Sequence, residues 1–423
     1  MAKTQLVVGL DVGTYLTKIA VAKQLRPDKE PSVIALGTTL SEGLRRGAVV
    51  DIHDATRSIV VALEQASKMI EEDISQVIVS INGDHLGCIN TAGKVAVSRS
   101  DGEVTQEDLE RVIHNATPGS SSSNKSVIDV IPKNFILDEE SGIKNPIGMN
   151  GIRLEVEALL LEGGTSAMKN IDKCVEGAKL NIQHHMVGPI SAAQSVLTKK
   201  QKELGVMVLD MGAGTSSLAV YEEGRLVHIA VIPVGAGHVT RDLAIGMRTS
   251  MEVAEKVKIK YGIALESALG TDAKAQIDLS KINQEEVGVF PVSYVADIIE
   301  ARLKEVFEHV LAELKSIERV GLLPAGVVLV GGGANIHSVI DLAKRELRLP
   351  VKLGIPIGVE GSIADVDNPM YANLVGLLLS GFDDEYDEES FSDGTSTNLD
   401  SGSGLRGIGS WFKKILSTFL PTD

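Results

Sequence analysis

Two short stretches of this chain carry residues that could hold a phosphate and a metal ion. In Val206-Met-Val-Leu-Asp210-Met-Gly212-Ala-Gly214-Thr215 an apolar run stops at a carboxylate and becomes a glycine turn closed by a hydroxyl. Gly212 and Gly214 let backbone N–H groups approach an anion with no Cβ in the way, and Thr215 adds a hydroxyl donor. Asp210, fixed at the strand end, would face a metal-bound water. Near the N-terminus Leu6-Val-Val-Gly-Leu-Asp11-Val-Gly13-Thr14 repeats the pattern, and a second β-like run follows from Leu16 to Ala22. Either loop alone reads equally well as a hairpin turn, where Asp-x-Gly is common. Two of them, each opening its own strand–turn–strand unit, point to one nucleotide gripped from opposite sides.

The elements that must position these loops follow from periodicity. Residues 5–40 read as three β-runs, Gln5–Asp11, Tyr15–Lys23 and Pro31–Leu40, in an antiparallel meander. Asp51 is a helix N-cap, and Ala55, Ile59, Ala62, Leu63, Ala66 and Ile70 follow at helical spacing before a strand at Gln76–Ile81. From Asn82 to about Gly164 the character changes to short strand-like pieces, a capping box at Thr105-Gln-Glu-Asp108 and the polar Ser120–Ser123 run, which reads as an inserted small domain. Helical spacing returns at Ser166–Lys179 and Val187–Leu197, with His184 and His185 in a polar connection between them rather than in a metal site. After Thr215 the first order repeats: strand Ser216–Tyr221, turn, strand Arg225–Pro233, glycine loop, helix through Asp242–Met247. This internal duplication predicts two similar α/β lobes facing each other across a cleft.

Residues from about 250 to 320 read as a second insertion. It holds a helix at Met251–Tyr261 and a long amphipathic helix at Ser293–Glu318, whose apolar stripe is Val295, Ile298, Ile299, Leu303, Val306, Val310, Leu311 and Leu314. Arg302 and Glu305 lie on the opposite face, open to solvent or a partner. A strand at Gly326–Val330 then runs into Gly331-Gly332-Gly333-Ala334, a turn with more glycine than tightness alone demands and suited to close approach of a flat or anionic ligand.

The net charge of −16 over 423 residues argues against a nucleic-acid partner. Cys88 and Cys174 are too few for a disulfide framework or a structural zinc site, which suits a reducing cytoplasm, and both are expected as core thiols. No signal-peptide pattern and no apolar run of about eighteen residues is present. The C-terminal stretch is distinctive. Asp383-Asp-Glu-Tyr-Asp-Glu-Glu389 opens a polar tether, expected to stay disordered through Gly404. Beyond it Leu405, Ile408, Trp411, Phe412, Ile415, Leu416 and Phe419 recur at three-and-four spacing, with Lys413 and Lys414 elsewhere around the helix. Such a segment is expected to lie in a membrane interface, tethering the chain to a bilayer surface.

With three nucleotide elements in order, Asp11-Val-Gly-Thr14 with Lys18, Asp210-Met-Gly-Ala-Gly-Thr215 and Gly331-Gly-Gly-Ala334, the chain is similar to the actin, sugar-kinase and heat-shock-chaperone superfamily. Within it, the chain resembles the FtsA family of bacterial cell-division proteins over essentially its whole length. The small domain after the first lobe's sheet and the acidic linker with its amphipathic end carry that narrowing. So do Glu203–Asp210, Val231-Ile-Pro-Val234 and Asn368–Leu378.

The resemblance implies an actin-like two-lobed α/β fold binding ATP with Mg²⁺. Asp11, Gly13, Thr14, Lys18, Asp210, Gly212, Gly214 and Thr215 match its phosphate motifs, and Asp11 and Asp210 stand on the metal side. Glu255 and Lys258 match an Ala-Glu-x-x-Lys pattern reaching ribose and base, and Gly331, Gly332, Gly333 and Ala334 match the adenosine motif. One departure matters: where chaperones and the rod-shape actin homologue carry a water-activating Glu, Gly188 precedes Pro189-Ile-Ser-Ala-Ala193, so at most weak hydrolysis is expected. The implied layout is a first lobe at 1–82 and 165–198 with a small domain at 83–164 inserted. A second lobe follows at 199–249 and 321–381, with 250–320 inserted as the site for the C-terminal peptide of FtsZ and Arg302 as its best single residue. An acidic linker at 382–404 and a membrane-targeting tail at 405–423 complete it. The resemblance further implies self-association into filaments, recruitment of other divisome proteins and a place at the cytoplasmic face of the membrane at the division site. A type IV pilus assembly protein of the same fold gives no reason for the amphipathic end. A sugar kinase would need a catalytic base and a sugar pocket for which the sequence offers no candidate.

Overall fold

The computed structural model describes residues 5–26, 29–117, 124–361 and 366–383. The Ser120–Ser123 run, the acidic linker from residue 384 and the tail at 405–423 lie outside them.

Strands β1 (Gln5–Val12), β2 (Leu16–Gln24) and β3 (Ser32–Leu40) form the expected antiparallel meander. A two-residue-per-strand hairpin, β4 (Leu44–Arg45) and β5 (Ala48–Val49), leads to α1 (Ile52–Ser67), where the Asp51 side chain accepts from the Asp54 N–H. Its stripe of Ala55, Ile59, Ala62 and Ala66 is fully buried against β2 and β3. Gly37 on β3 makes this close approach possible, since a Cβ there would lie 1.9 Å from the Ala62 carbonyl oxygen. β6 (Gln76–Ile81) then returns parallel to β1.

Residues His85–Lys169 fold as a compact unit of their own. β7 (Gly87–Ala96), α2 (Gln106–Ala116), β8 (Lys125–Leu137), β9 (Glu140–Ile143) and β10 (Arg153–Gly164) give a four-stranded sheet in the order β7-β10-β8-β9. The Thr105 capping box is present with Asp108 as its return partner. Leu109, Val112 and Ile113 of α2 share one core with Leu154, Val156 and Leu160 of β10.

The other unit, Met1–Asp84 with Asn170–Leu379, holds all three glycine-bearing motifs singled out from sequence. After α3 (Thr165–Gly177) the chain forms β11 (Asn181–Val187), which pairs in parallel with β6. His184 and His185 therefore sit on a strand, not in the connection expected from sequence. β11 is an edge strand, and its polar composition hides the period-two signal. Cys174 is buried as expected, whereas Cys88 on β7 is only half-buried.

Helices α4 (Gly188–Val196) and α5 (Lys199–Leu204) lead into β12 (Val206–Met211), β13 (Ser216–Glu222) and β14 (Arg225–Ile232). Next come α6 (Ala236–Met247), α7 (Met251–Tyr261), the short pair β15 (Gln276–Asp278) and β16 (Val289–Pro291), and α8 (Val292–Ser316). β17 (Val327–Val330), α9 (Val339–Leu347), β18 (Val351–Leu353), β19 (Glu360–Gly361) and α10 (Ala372–Asp383) complete the described chain. The second sheet, in the order β14-β13-β12-β17-β18, matches β3-β2-β1-β6-β11 of the first in order and in strand direction. The duplication read from sequence is thus a duplicated topology. The predicted stripe of α8 is buried at Val295, Ile299, Leu303, Val306, Val310 and Leu314, whereas Ile298 and Leu311 at its margins are only partly buried. No helix among the described residues is long and apolar enough to cross a membrane.

Candidate nucleotide cleft

Each carboxylate stands at the C-terminal end of the central strand of its sheet, where parallel neighbours end and a crevice opens. The register of β1 against β2 sets Lys18 directly opposite Asp11. Lys18 Nζ lies 2.8 Å from Asp11 Oδ2, and both residues are buried. Asp11 Oδ1 accepts hydrogen bonds from Ser80 Oγ at 2.7 Å, Asn373 Nδ2 at 2.9 Å and Asn82 Nδ2 at 3.3 Å. The first carboxylate is therefore paired and held. In the loop that follows, Thr14 Oγ1 accepts from the Gly47 N–H of the β4–β5 hairpin at 2.9 Å.

In the second lobe the same register sets Ser217, not a lysine, opposite Asp210. No hydrogen bond or ion pair among the described residues engages the Asp210 carboxylate. Its removal from water, with the Asp11 charge adding to the effect and Lys18 partly opposing it, pushes its pKa up to about 6. The duplication is thus chemically lopsided, with one carboxylate neutralised by a lysine and the other left wanting a cation. Gly331 makes room beside it. The residue has φ +83°, and a Cβ there would lie 2.2 Å from Asp210 Oδ1. The second phosphate loop is stitched to the start of α6, with Ala236 N–H donating to the Gly212 carbonyl and Gly237 N–H to that of Ala213, both at 2.8 Å.

Glu255 and Lys258 lie one turn apart on α7 and form a closed triad with Thr240 of α6. Lys258 Nζ is 2.7 Å from Glu255 Oε2 and 2.8 Å from Thr240 Oγ1, and Thr240 donates to Glu255 Oε2. Glu255 and Lys258 line the cleft, whereas Thr240 is buried behind them.

A cleft of about 820 Å³ gathers thirteen of the fourteen residues singled out from sequence. Ala334 alone does not line it and belongs to the core of the second lobe. The loops meet across the cleft, since a Cβ on Gly214 would lie 2.6 Å from Thr14 Oγ1. Sequence reasoning missed Ser80, Asn82 and Asn373 as site residues, although Asn82 marks the start of the inserted domain and Asn373 lies in the Asn368–Leu378 segment. Among the described residues no three His, Cys, Asp or Glu side chains gather as a metal cage. The donor set is instead two carboxylates, Asp11 and Asp210, lining one cleft with the glycine loops, which suits a hydrated divalent cation carried in on a polyphosphate.

Gly188 opens α4 beside this site. A Cβ on it would lie 1.9 Å from Asn82 Oδ1 and 3.3 Å from Asn373 Nδ2. The space a glutamate would need is already filled by a carboxamide.

Arg302 stands differently from its expected place on an open helix face. Its Nε donates to Asp242 Oδ2 at 2.6 Å and its Nη2 to Asp242 Oδ1 at 3.1 Å, and Nη1 bonds Glu305. The fork geometry of guanidinium and carboxylate ties α8 to α6, and the side chain is only 24% exposed. The nine tail residues lie outside the described residues.

Comparison with known proteins adds a family and a fold. Residues 207–376 match the family model described as Cell division protein FtsA, and residues 83–161 match the model of an SHS2 domain inserted in FTSA. The chain is 34% identical over 388 residues to the cell division protein FtsA of Pseudomonas aeruginosa, covering 92% of each chain. Among solved structures it resembles one titled as a PilM-PilN type IV pilus biogenesis complex, with a TM-score of 0.62 at 18% identity, over 89% of this chain and 98% of that one. It also resembles MreB5 of Spiroplasma citri bound to ADP, with a TM-score of 0.53 at 14% identity, over 88% and 94%. At such identities these two show the actin-like fold alone.

Proposed function

The chain belongs to the FtsA family of bacterial cell-division proteins, and from that membership we propose that it is an ATP-binding, actin-like scaffold that tethers the FtsZ ring to the cytoplasmic membrane. It associates with copies of itself and recruits further divisome proteins at the division site. The observation that carries the nucleotide part is the pair Asp11 and Asp210, one neutralised by Lys18 and one not, set at matching strand ends around a glycine-lined cleft. A Mg²⁺ ion bound with ATP would supply the missing positive charge beside Asp210. The likeness of the fold to a protein solved with ADP supports the same reading. Calorimetric titration with ATP and Mg²⁺ tests it: a saturable heat is expected, and no binding at millimolar nucleotide would overturn it.

Hydrolysis should be slow, because the groups nearest Gly188 are carboxamides that orient water without taking its proton. Gly188→Glu is expected not to create a fast ATPase, because the new side chain must first displace Asn82 from its bonds to Ser80 and Asp11. Phosphate release measured on both proteins checks this, and brisk turnover by either contradicts it.

The insertion at 250–320 is the proposed site for the C-terminal peptide of FtsZ. Arg302 can serve there only by exchanging or sharing its bonds to Asp242 and Glu305. Arg302→Ala is expected to weaken peptide binding several-fold in a fluorescence titration, and equal affinity would remove Arg302 from the site.

A further inference from the structure

Asn373 carries the one carboxamide oxygen in the cleft that is buried and meets no donor among the described residues. The residue is 5% exposed, yet it lines the cleft beside Asp11. Its orientation follows from chemistry. The amide nitrogen donates to Asp11 Oδ1 at 2.9 Å, and turning the group over would set its oxygen against a carboxylate. A buried acceptor without a donor keeps the full cost of its lost hydration. Such an acceptor at the edge of a metal-side carboxylate calls for a water.

The backbone around Asn373 is held more firmly than a helix start requires. Ser195 Oγ donates to the Ala372 carbonyl and Ser191 Oγ to the Asn373 carbonyl, each at 2.7 Å. Gly376, where a Cβ would lie 1.8 Å from the Ser191 carbonyl oxygen, lets α10 sit against α4. Just upstream, Lys18 Nζ donates to the Met370 carbonyl at 2.7 Å and the Gly331 N–H donates to the Pro369 carbonyl at 3.0 Å. The short segment Pro369–Asn373 thereby bonds Asp11, its lysine and the glycine that packs on Asp210.

Resting on the reading of this cleft as a Mg²⁺–nucleotide site, we infer that Asn373 is a positioning residue for the metal. Its amide nitrogen fixes the Asp11 carboxylate, and its carboxamide oxygen accepts a hydrogen bond from a water of the Mg²⁺ hydration shell. Pro369–Asn373 is the brace that keeps the metal-side groups of both lobes in register. Outer groups of this kind act on the metal more than on the rest of the ligand, and their loss typically lowers metal affinity by about tenfold or more.

The test is ADP binding by calorimetry, with Mg²⁺ and again with EDTA, on wild type, Asn373→Leu and Asn373→Ser. The ratio of the two dissociation constants isolates the contribution of the metal. In Asn373→Leu, which keeps the branched shape and removes both bonds, that ratio should fall about tenfold. Asn373→Ser, which keeps a small donor and acceptor, should fall between, and it keeps the test open if the leucine variant does not fold. A wild-type ratio reproduced in both folded variants would overturn the role of Asn373 and leave the cleft assignment standing. Equal weakening with and without Mg²⁺ would also overturn it, by making Asn373 a purely structural residue. A wild type that binds ADP identically with Mg²⁺ and EDTA would instead remove the metal reading on which the inference rests.

Discussion

Asp210→Asn is expected to weaken Mg²⁺-ATP binding by at least about tenfold and, in the nucleotide-free protein at neutral pH, to raise the melting temperature. The two effects share one cause. Asp210 has no lysine opposite it in the sheet, and burial together with the charge of Asp11 lifts its pKa from 3.8 to about 6. For a carboxyl group raised in the folded state, the folded protein holds more protons than the unfolded one between pH 4 and 6, so stability falls as pH rises through that window. Above it the ionised group costs up to about 3 kcal/mol, and a neutral amide of the same shape removes most of that penalty. The melting-temperature difference should therefore be full at pH 7.5 and shrink as pH drops through about 6 towards 4, where the wild-type carboxyl is protonated too. Thermal melts at both ends of this range, with calorimetry for Mg²⁺-ATP at neutral pH, measure the two limbs. Unchanged nucleotide affinity would show that Asp210 does not face the metal. A lower melting temperature for the variant at pH 7.5 would show that its charge is compensated in the free protein.

The duplication behind that prediction was legible in the sequence, and the chemical difference between its two halves was not. The twin Asp-x-Gly motifs, the repeated strand–turn–strand order and the glycine triplet are local patterns, each contained within a short stretch of chain. Periodicity and turn chemistry suffice to place such patterns on a duplicated α/β fold. The partners of Asp11 were not legible. Ser80, Asn82 and Asn373 reach it from 69, 71 and 362 residues away, and neutral amides and hydroxyls carry no motif of their own. Arg302 failed for a related reason. Helical spacing reports which face of α8 is apolar, but Asp242, which takes up the guanidinium, lies 60 residues earlier on α6. The edge strand β11 was hidden by its own histidines, which pair with side chains such as Asp172, at 2.8 Å from His185, instead of alternating cleanly with apolar residues. What remained outside sequence reach is the set of long-range hydrogen bonds that hold the Asp11 carboxylate in place.

Removing residues 405–423, or changing both Trp411 and Phe412 to Glu, is expected to release the protein almost completely from anionic liposomes while leaving ATP affinity unchanged. As an α-helix the sixteen residues from Leu405 to Leu420 would measure about 24 Å, short of the roughly 30 Å hydrocarbon core, and Lys413 and Lys414 stand at the middle of the run. Spanning is thereby disfavoured and an interfacial position favoured, with Ile408, Trp411, Phe412, Ile415, Leu416 and Phe419 towards the acyl chains. The lysines add attraction to anionic headgroups of about 1 kcal/mol each near the surface. The preceding Asp383–Glu389 run carries the opposite sign and is repelled by the same headgroups, so contact falls to the terminal segment alone. Two glutamates at the apolar positions remove the largest buried area and cancel the charge of Lys413 and Lys414, which is why a double substitution should match the full deletion. A single short amphipathic segment binds only modestly, so wild-type attachment should also steepen with protein concentration as copies associate and engage the surface together. Sedimentation with liposomes over a range of protein concentrations measures both effects, with calorimetry confirming that the cleft is intact. Full retention of either variant on the liposomes would refute the anchor and restore the pilus-type reading of the fold as the one to pursue.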